Sequence, residues 1–407
     1  TDSDIIQKNE MIIWRSLQTL SAPTLDRLLK NSSDPLINGW LTLAISAKQF
    51  SNNPSALATQ IQNWQTANPG HPANNLLPDA NTLQSLPSIQ PPKQIALLLP
   101  IHGQFGSLGQ AVRDGFMTAF YANVKQLSSS PAIKVYDTSQ SDNMVDLYRQ
   151  AIQDGADFVI GPLTKSNVDQ LVNRGNISVP TLTLNFSSHG SVPNNVIQFG
   201  FSPEQATQQA AEFAWQHNIT QTLIITPNND WGKNIADAFN TQWNNSGGQT
   251  AGMLSFDNAT QLSDEISSLL NITNSKARAD ELRQLFSEKI KSTLQRRQDI
   301  NGIFLAATPA DARQILPLLK FYYAGNLPVI SIANIYAGYP SSQNDHDLND
   351  VYFDDMPWLF DTTPYMNQLK NQIQSLWKEN YEKNSRLYGL GIDAYTISIL
   401  LPRLISL

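Results

Sequence analysis

No cysteine occurs anywhere in the 407 residues. That excludes disulfide scaffolds, thiolate metal sites and cysteine nucleophiles. Long apolar runs are missing too: hydrophobic residues make up 41% of the chain, yet no window approaches the roughly 18 consecutive apolar residues that a membrane-spanning helix needs. Positive charge is scarce. Lys and Arg number 27 against 34 Asp and Glu, for a net charge of -7, and the one basic cluster is the pair Arg296-Arg297. Such a surface offers no footprint for a phosphate backbone, so nucleic acid is not an expected partner. The 5 histidines, His71, His102, His189, His217 and His346, are scattered without H-E-x-x-H or other close ligand spacing, which argues against a dedicated metal site. Neither G-x-G-x-x-G nor a G-K-[ST] P-loop is found, and no cofactor is expected. The sequence starts at Thr1 without a charged n-region or an apolar h-region, so any signal peptide or lipid anchor lies outside it.

What is present falls into two regimes. From about residue 5 to 64 the apolar residues recur at helical spacing: Ile6, Ile13, Leu17 and Leu20, then Leu36, Trp40, Leu43 and Ala44, then Leu57, Ile61 and Trp64. Asp34-Pro35 and Asn53-Pro54 read as N-caps followed by proline at the first helical position. Paired helices of this kind resemble tetratricopeptide units, and residues 1–75 read as the end of a longer helical array, the alternative being a small helical cap packed on the main domain. Residues 76–93, with Pro78, Pro87, Pro91 and Pro92, lose periodicity and read as a linker.

Beyond the linker short apolar strands alternate with amphipathic helices, the signature of α/β architecture. Strands are predicted at 95–99, 133–136, 157–160, 181–184, 196–199, 222–226, 251–256, 302–306 and 329–332, with a first helix near 110–127. Their unbroken apolar character predicts parallel sheets covered on both faces. Nine strands exceed one ordinary sheet, so two lobes are expected: lobe I from 94–201 and 329–407, and lobe II from 202–328. Residues 262–297, carrying Leu282, Leu285, Phe286, Ile290 and Leu294 among mixed charges, read as a helical insertion in lobe II.

Two strand-to-helix turns stand out. Pro100-Ile101-His102-Gly103-Gln104-Phe105-Gly106-Ser107 follows the first strand, and Asn229-Asp230-Trp231-Gly232 follows 222–226. Each is either a plain tight turn or a set of free N–H groups for a polar ligand. Ligands in open α/β sheets sit beyond the carboxyl ends of the strands, so Gln104, Phe105, Gly106 and Ser107, with Asn185, Phe186, Asp230, Trp231 and Tyr336 at equivalent strand ends, form the candidate interlobe cleft. Ser187 and Asn334 share those positions. For the Asn and Ser residues, local hydrogen bonding within turns is an equal alternative. No catalytic residue is assigned. Ser375-Leu376-Trp377-Lys378 and Ser141-Asp142-Asn143 spell S-x-x-K and S-D-N, but they stand in the wrong order, K-T-G is missing, and the first lies in a run suited to a surface helix. Asp345, Asp347, Asp354 and Asp355 lack the glycine and spacing of an EF-hand and read as a solvated loop.

Several stretches, taken in order, resemble the penicillin-binding protein activator family. They are Trp64 with Asn68-Pro69-Gly70-His71-Pro72-Ala73, Ile95-Ala96-Leu97-Leu98-Leu99-Pro100, Gly109-Gln110-Ala111-Val112-Arg113-Asp114-Gly115-Phe116 and Gly161-Pro162-Leu163. The series continues through Phe199-Gly200-Phe201-Ser202-Pro203-Glu204 and Ala310-Asp311-Ala312-Arg313-Gln314-Ile315-Leu316-Pro317. It ends with Asp354-Asp355-Met356-Pro357-Trp358 and Arg386-Leu387-Tyr388-Gly389-Leu390-Gly391-Ile392-Asp393-Ala394-Tyr395. The resemblance covers nearly the whole chain. It implies a bilobal type I periplasmic-binding-protein-like fold behind a short all-α, tetratricopeptide-like segment. It further implies a non-catalytic protein of the Gram-negative periplasm that binds and activates a bifunctional class A penicillin-binding protein, a peptidoglycan synthase. The full-length protein would be held at the inner leaflet of the outer membrane by an N-terminal lipid anchor that this sequence does not contain. The turn Ile101-His102-Gly103-Gln104-Phe105 departs from the small-residue version of the family. The alternative within the same fold is a periplasmic solute-binding protein for an amino acid or similar small polar ligand, in which the turns at Gln104-Phe105-Gly106-Ser107 and Asp230-Trp231-Gly232 would contact the solute.

Overall fold

A computed structural model describes residues 9–77 apart from 15, 18, 19, 21 and 51–53, together with 92–123, 130–286, 294–341 and 345–405. The chain divides into two compact units, 1–90 with 401–407, and 91–400.

The first unit is helical, with α1 (Ala22–Asn31), α2 (Pro35–Gln49) and α3 (Pro54–Ala67) followed by a 3₁₀ turn at Pro72–Leu76. Asp34 caps α2 as its sequence predicts, its carboxylate accepting from Leu36 N at 2.7 Å and Ile37 N at 3.3 Å. Two of the four free N–H groups of the helix start are thereby satisfied. Pro54 opens α3, while its expected cap Asn53 is outside the described residues, as is Ile6. Trp40, Leu43, Trp64 and Ala73 form one buried cluster, and Leu25, Leu41 and Ala44 a second. His71 is packed edge-on against Trp40 and Trp64, with ring centroids 5.2 and 5.0 Å away. Its Nδ1 accepts from Ala73 N at 3.1 Å and its Nε2 lies 2.8 Å from Leu36 O. Since Nδ1 accepts, the proton sits on Nε2 and is donated to that carbonyl. One side chain thus ties the 3₁₀ turn to the start of α2.

The second unit holds ten described strands in two sheets. The first comprises β1 (Gln94–Leu99), α4 (Gly106–Asn123), β2 (Ala132–Asp137), α5 (Met144–Gln153), β3 (Phe158–Ile160), α6 (Lys165–Arg174), β4 (Thr181–Thr183) and β5 (Val196–Gln198). The second comprises α7 (Pro203–Gln216), β6 (Gln221–Pro227), α8 (Asp230–Asn245), β7 (Gln249–Phe256), α9 (Ser263–Leu269), α10 (Ile272–Phe286), β8 (Gly302–Leu305), α11 (Pro309–Phe321), β9 (Val329–Ser331) and β10 (Val351–Phe353). The chain then runs through α12 (Pro357–Phe360) into the long α13 (Pro364–Ile405). Every strand pair is parallel. The strand orders are β2-β1-β3-β4-β5 and β10-β9-β8-β6-β7. Read from the other edge, the second repeats the first. Leu97, Leu98 and Leu99 of β1 and Ile224 and Ile225 of β6 are at most 1% exposed, as expected of strands with helices on both faces.

Two sequence expectations are corrected. Residues 329–353 do not belong to lobe I: β9 pairs with β8 and β10 with β9, so both strands complete the second sheet. Lobe I therefore holds 94–198 and lobe II runs to 353, because backbone pairing assigns a strand, whereas a linear pattern cannot. The acidic stretch around Asp354 and Asp355 is not a solvated loop. It follows the unpredicted β10, and the Asp355 side chain is 2% exposed. Within 262–297, residues 263–269 and 272–286 are helical, as α9 and α10, with Leu282 and Leu285 on the surface, whereas 294–297 are irregular and Leu294 packs against the lobe II core. Ile290 and the tail of the first predicted helix, 124–127, lie outside the described residues.

Candidate functional site

A sheet order of the 2-1-3-4-5 type places its topological switch point between β1 and β3, and in the second lobe between β6 and β8. The two turns singled out by sequence, after β1 and after β6, are therefore at the carboxyl edges where such folds place ligands. Both are built alike. A Cβ on Gly109 would lie 1.9 Å from Pro100 O, and one on Gly232 would lie 1.9 Å from Pro227 O. In each lobe the first turn of the helix is pressed against the end of its strand at a distance only glycine permits.

In lobe I, Gln104, Phe105 and Ser107 are exposed and Gly106 is buried. The residue that sequence analysis overlooked in this turn is His102. Its Nδ1 lies 2.5 Å from Asp137 Oδ2. Asp137 Oδ1 accepts from Ile101 N at 2.9 Å, Ser139 N at 3.0 Å and Ser139 Oγ at 2.6 Å. Partial burial opposes ionisation of Asp137, but these hydrogen bonds prevail and hold its carboxyl well below the usual range. The Ser139 hydroxyl donates to the carboxylate, so this cluster is not a serine–histidine relay. His102 and Asp137 are 35 positions apart, and only the parallel register of Leu99 beside Asp137 joins them. Asn185 donates from Nδ2 to Leu163 O at 3.1 Å and accepts from Phe186 N at 2.9 Å. Ser187 Oγ donates to Asp169 Oδ1 at 2.7 Å, and that bond leads the interactions that lower the Asp169 carboxyl to about 2. Asn185 thus bonds both its own turn and the loop after β3, while Ser187 reaches Asp169 of α6.

In lobe II, Asn229 caps α8 by accepting from Gly232 N at 2.8 Å. Asp230 is exposed, and Trp231 packs partly against the core of Ile235, Phe239 and Phe304. Tyr336 is half-buried after β9, and burial pushes its hydroxyl up to about 12. Its carbonyl, with that of Ala333, accepts from the Arg386 guanidinium, each at 2.9 Å. Arg386 also grips Asp355, with Nε at 2.9 Å from Oδ1. Ser385 Oγ donates to Gly338 O at 2.7 Å, and Trp358 Nε1 donates to Ser385 O at 3.0 Å.

The two edges meet the same stretch of α13. Asn380 Nδ2 approaches Ser107 O of lobe I at 3.4 Å, six residues before Arg386 takes the strand ends of lobe II. Nearby, a Cβ on Gly115 would lie 2.1 Å from Tyr388 O, and one on Gly391 would lie 2.1 Å from Val112 O. The Phe116 and Tyr395 rings meet edge-on at 5.5 Å. Three of the sequence stretches quoted above, 109–116, 354–358 and 386–395, therefore come together in space. Neither three-letter enzymatic match is assembled: Ser375 and Lys378 are exposed on α13, and Asn143 caps α5 by accepting from Val145 N at 3.0 Å. Among the described residues no group of three or more His, Asp or Glu could hold a metal ion, and no helix is long and apolar enough to cross a membrane.

Two parallel five-stranded lobes behind a helical segment define a bilobal, periplasmic-binding-protein-like protein. Full-length LpoA of Haemophilus influenzae has this architecture, at a TM-score of 0.58 and 24% identity, with 99% of this chain and 68% of that one covered. A putative branched-chain amino acid ABC transporter of Chromobacterium violaceum is similar in fold over 76% of this chain and 88% of its own, at a TM-score of 0.56 and 23% identity. The chain belongs to the family described as "LppC putative lipoprotein", whose sequence model matches residues 2–406. A curated relative, the penicillin-binding protein activator LpoA of Photobacterium profundum, is 28% identical over 399 residues, covering 96% of this chain. The chain spans 64% of that relative's length.

Proposed function

We propose that this chain is a non-catalytic regulator that binds a bifunctional class A penicillin-binding protein and activates it in peptidoglycan synthesis, as part of a lipoprotein held at the inner leaflet of the Gram-negative outer membrane. The observation that carries the reading is the extent of likeness. Similarity to the penicillin-binding protein activators runs through 96% of the chain, helical unit included, whereas the solute-transporter likeness covers 76%. The strand-end chemistry agrees: the polar side chains of Asn185, Ser187 and Asn229 are already bonded within the protein, to Leu163 O, Asp169 and Gly232 N respectively, and the Asp137–Ser139 cluster does not build a nucleophile. An activator needs no catalytic group, because it acts by binding one state of its partner more tightly than the other.

The test is titration of the whole chain with a purified class A synthase, followed by calorimetry and by the rate of glycan polymerisation and peptide cross-linking. Saturable binding with an accelerated synthase is the expected result. Absence of binding together with a thermal shift from an amino acid would instead establish the solute-binding alternative at Gln104–Ser107 and Asp230–Trp231.

A further inference from the structure

Solute-binding proteins with two lobes work by hinge closure, so a tie across both lobes decides whether this unit can move in that way. The α13 helix carries such a tie. Facing lobe II, the Arg386 guanidinium bonds the carbonyls of Ala333 and Tyr336 and the buried Asp355 carboxylate just past β10, while Ser385 bonds Gly338 O. Facing lobe I, Gly391 and Gly115 bring the backbones of α13 and α4 into direct apposition.

The two sets of contacts are interleaved within residues 385–391, fewer than two helical turns. Neither set has slack. A guanidinium is a rigid planar fork whose donors fix direction as well as distance, and a glycine-mediated backbone contact contains no side chain that could change rotamer to absorb a displacement. The helix is bent so as to reach both lobes: Trp377 and Asn384 have non-helical backbone angles, and the Asn384 amide donates to Asn380 Oδ1 at 2.7 Å across that irregular turn. Asn380 in turn donates to Tyr388 OH at 3.2 Å. A rotation of one lobe against the other would have to break the Arg386 cluster or separate α4 from α13.

We propose that residues 385–391 form a latch that fixes the angle between the lobes, so that this unit presents a partner with a rigid surface and does not close on a small solute. Because the chain has no cysteine, spin labels can be placed cleanly on Ser166→Cys in α6 and Asn234→Cys in α8, both exposed near the carboxyl edges of their sheets. Pulsed electron resonance on the whole chain should give one narrow distance distribution that is unchanged by L-leucine. Adding Arg386→Lys or the milder Ser385→Ala should broaden and shift it, with helical circular dichroism retained. A broad or two-peaked distribution in the doubly labelled parent would overturn the latch whatever the variants do. So would folded variants whose distribution matches the parent.

Discussion

Arg386 and Asp355 form an ion pair that joins α13 to the segment just after β10. The Asp355 carboxylate is 2% exposed and the Arg386 side chain 23%, so removing the arginine leaves a buried charge with its main partner gone. Arg386→Ala should lower unfolding free energy by about 3–5 kcal/mol, measured by urea denaturation, because an orphaned buried charge costs far more than the intact pair contributes. Two turns further along, burial pushes the Asp393 carboxyl up to about 6. A raised carboxyl value means that the native state keeps a proton which the unfolded chain, titrating near 3.8, has already released. Stability contributed by this group is therefore lost as pH rises from about 4 through 6, and the full penalty persists above that. Asp393→Asn should raise the melting temperature at pH 7, and the difference from the parent should vanish below about pH 4.

At the scale of elements, glycine placement sets how closely helices approach. Gly391 faces Val112 O and Phe116 N of α4, where a Cβ would lie 2.1 and 2.8 Å away. Both atoms are backbone and cannot step aside. Gly391→Ala should force the helices apart and cost about 1–3 kcal/mol, and a thermal melt of the single variant checks this. Combining it with Gly115→Ala should cost less than the sum, since both substitutions open the same contact. Strands β1 to β9 were legible in the sequence as apolar runs. Strand β10 was not: Val351-Tyr352-Phe353 is three residues long, lies among aspartates and places Tyr352 in solvent at 53% exposure, so only its pairing with β9 defines it. The basic pair Arg296-Arg297 likewise turned out to be structural. Arg296 donates to Tyr323 O at 2.9 Å, and Arg297 forms an ion pair with Asp299 at 2.6 Å.

For the whole molecule, a unit latched between its lobes should not be stabilised by a small solute. Binding to the native state raises stability by an amount set by ligand concentration over Kd, so L-leucine at millimolar concentration should leave the melting temperature of the whole chain unchanged. A rise would point to the solute-binding alternative.

The two regimes of structure, the parallel α/β character of the larger unit, the strand-end turns and the family are all written in the order of residues, because hydrophobic period, glycine and proline placement and ordered motifs are properties of neighbours along the chain. Folding in three dimensions is what assigns residues 329–353 to the second sheet, brings His102 to Asp137, and sets Arg386 on Asp355 beside the Gly115–Gly391 crossing. Those partners are separated by 22 residues, from Val329 to Val351, up to 276, from Gly115 to Gly391, and what joins them is sheet register and helix packing, which depend on the whole fold and leave no local trace in composition or spacing.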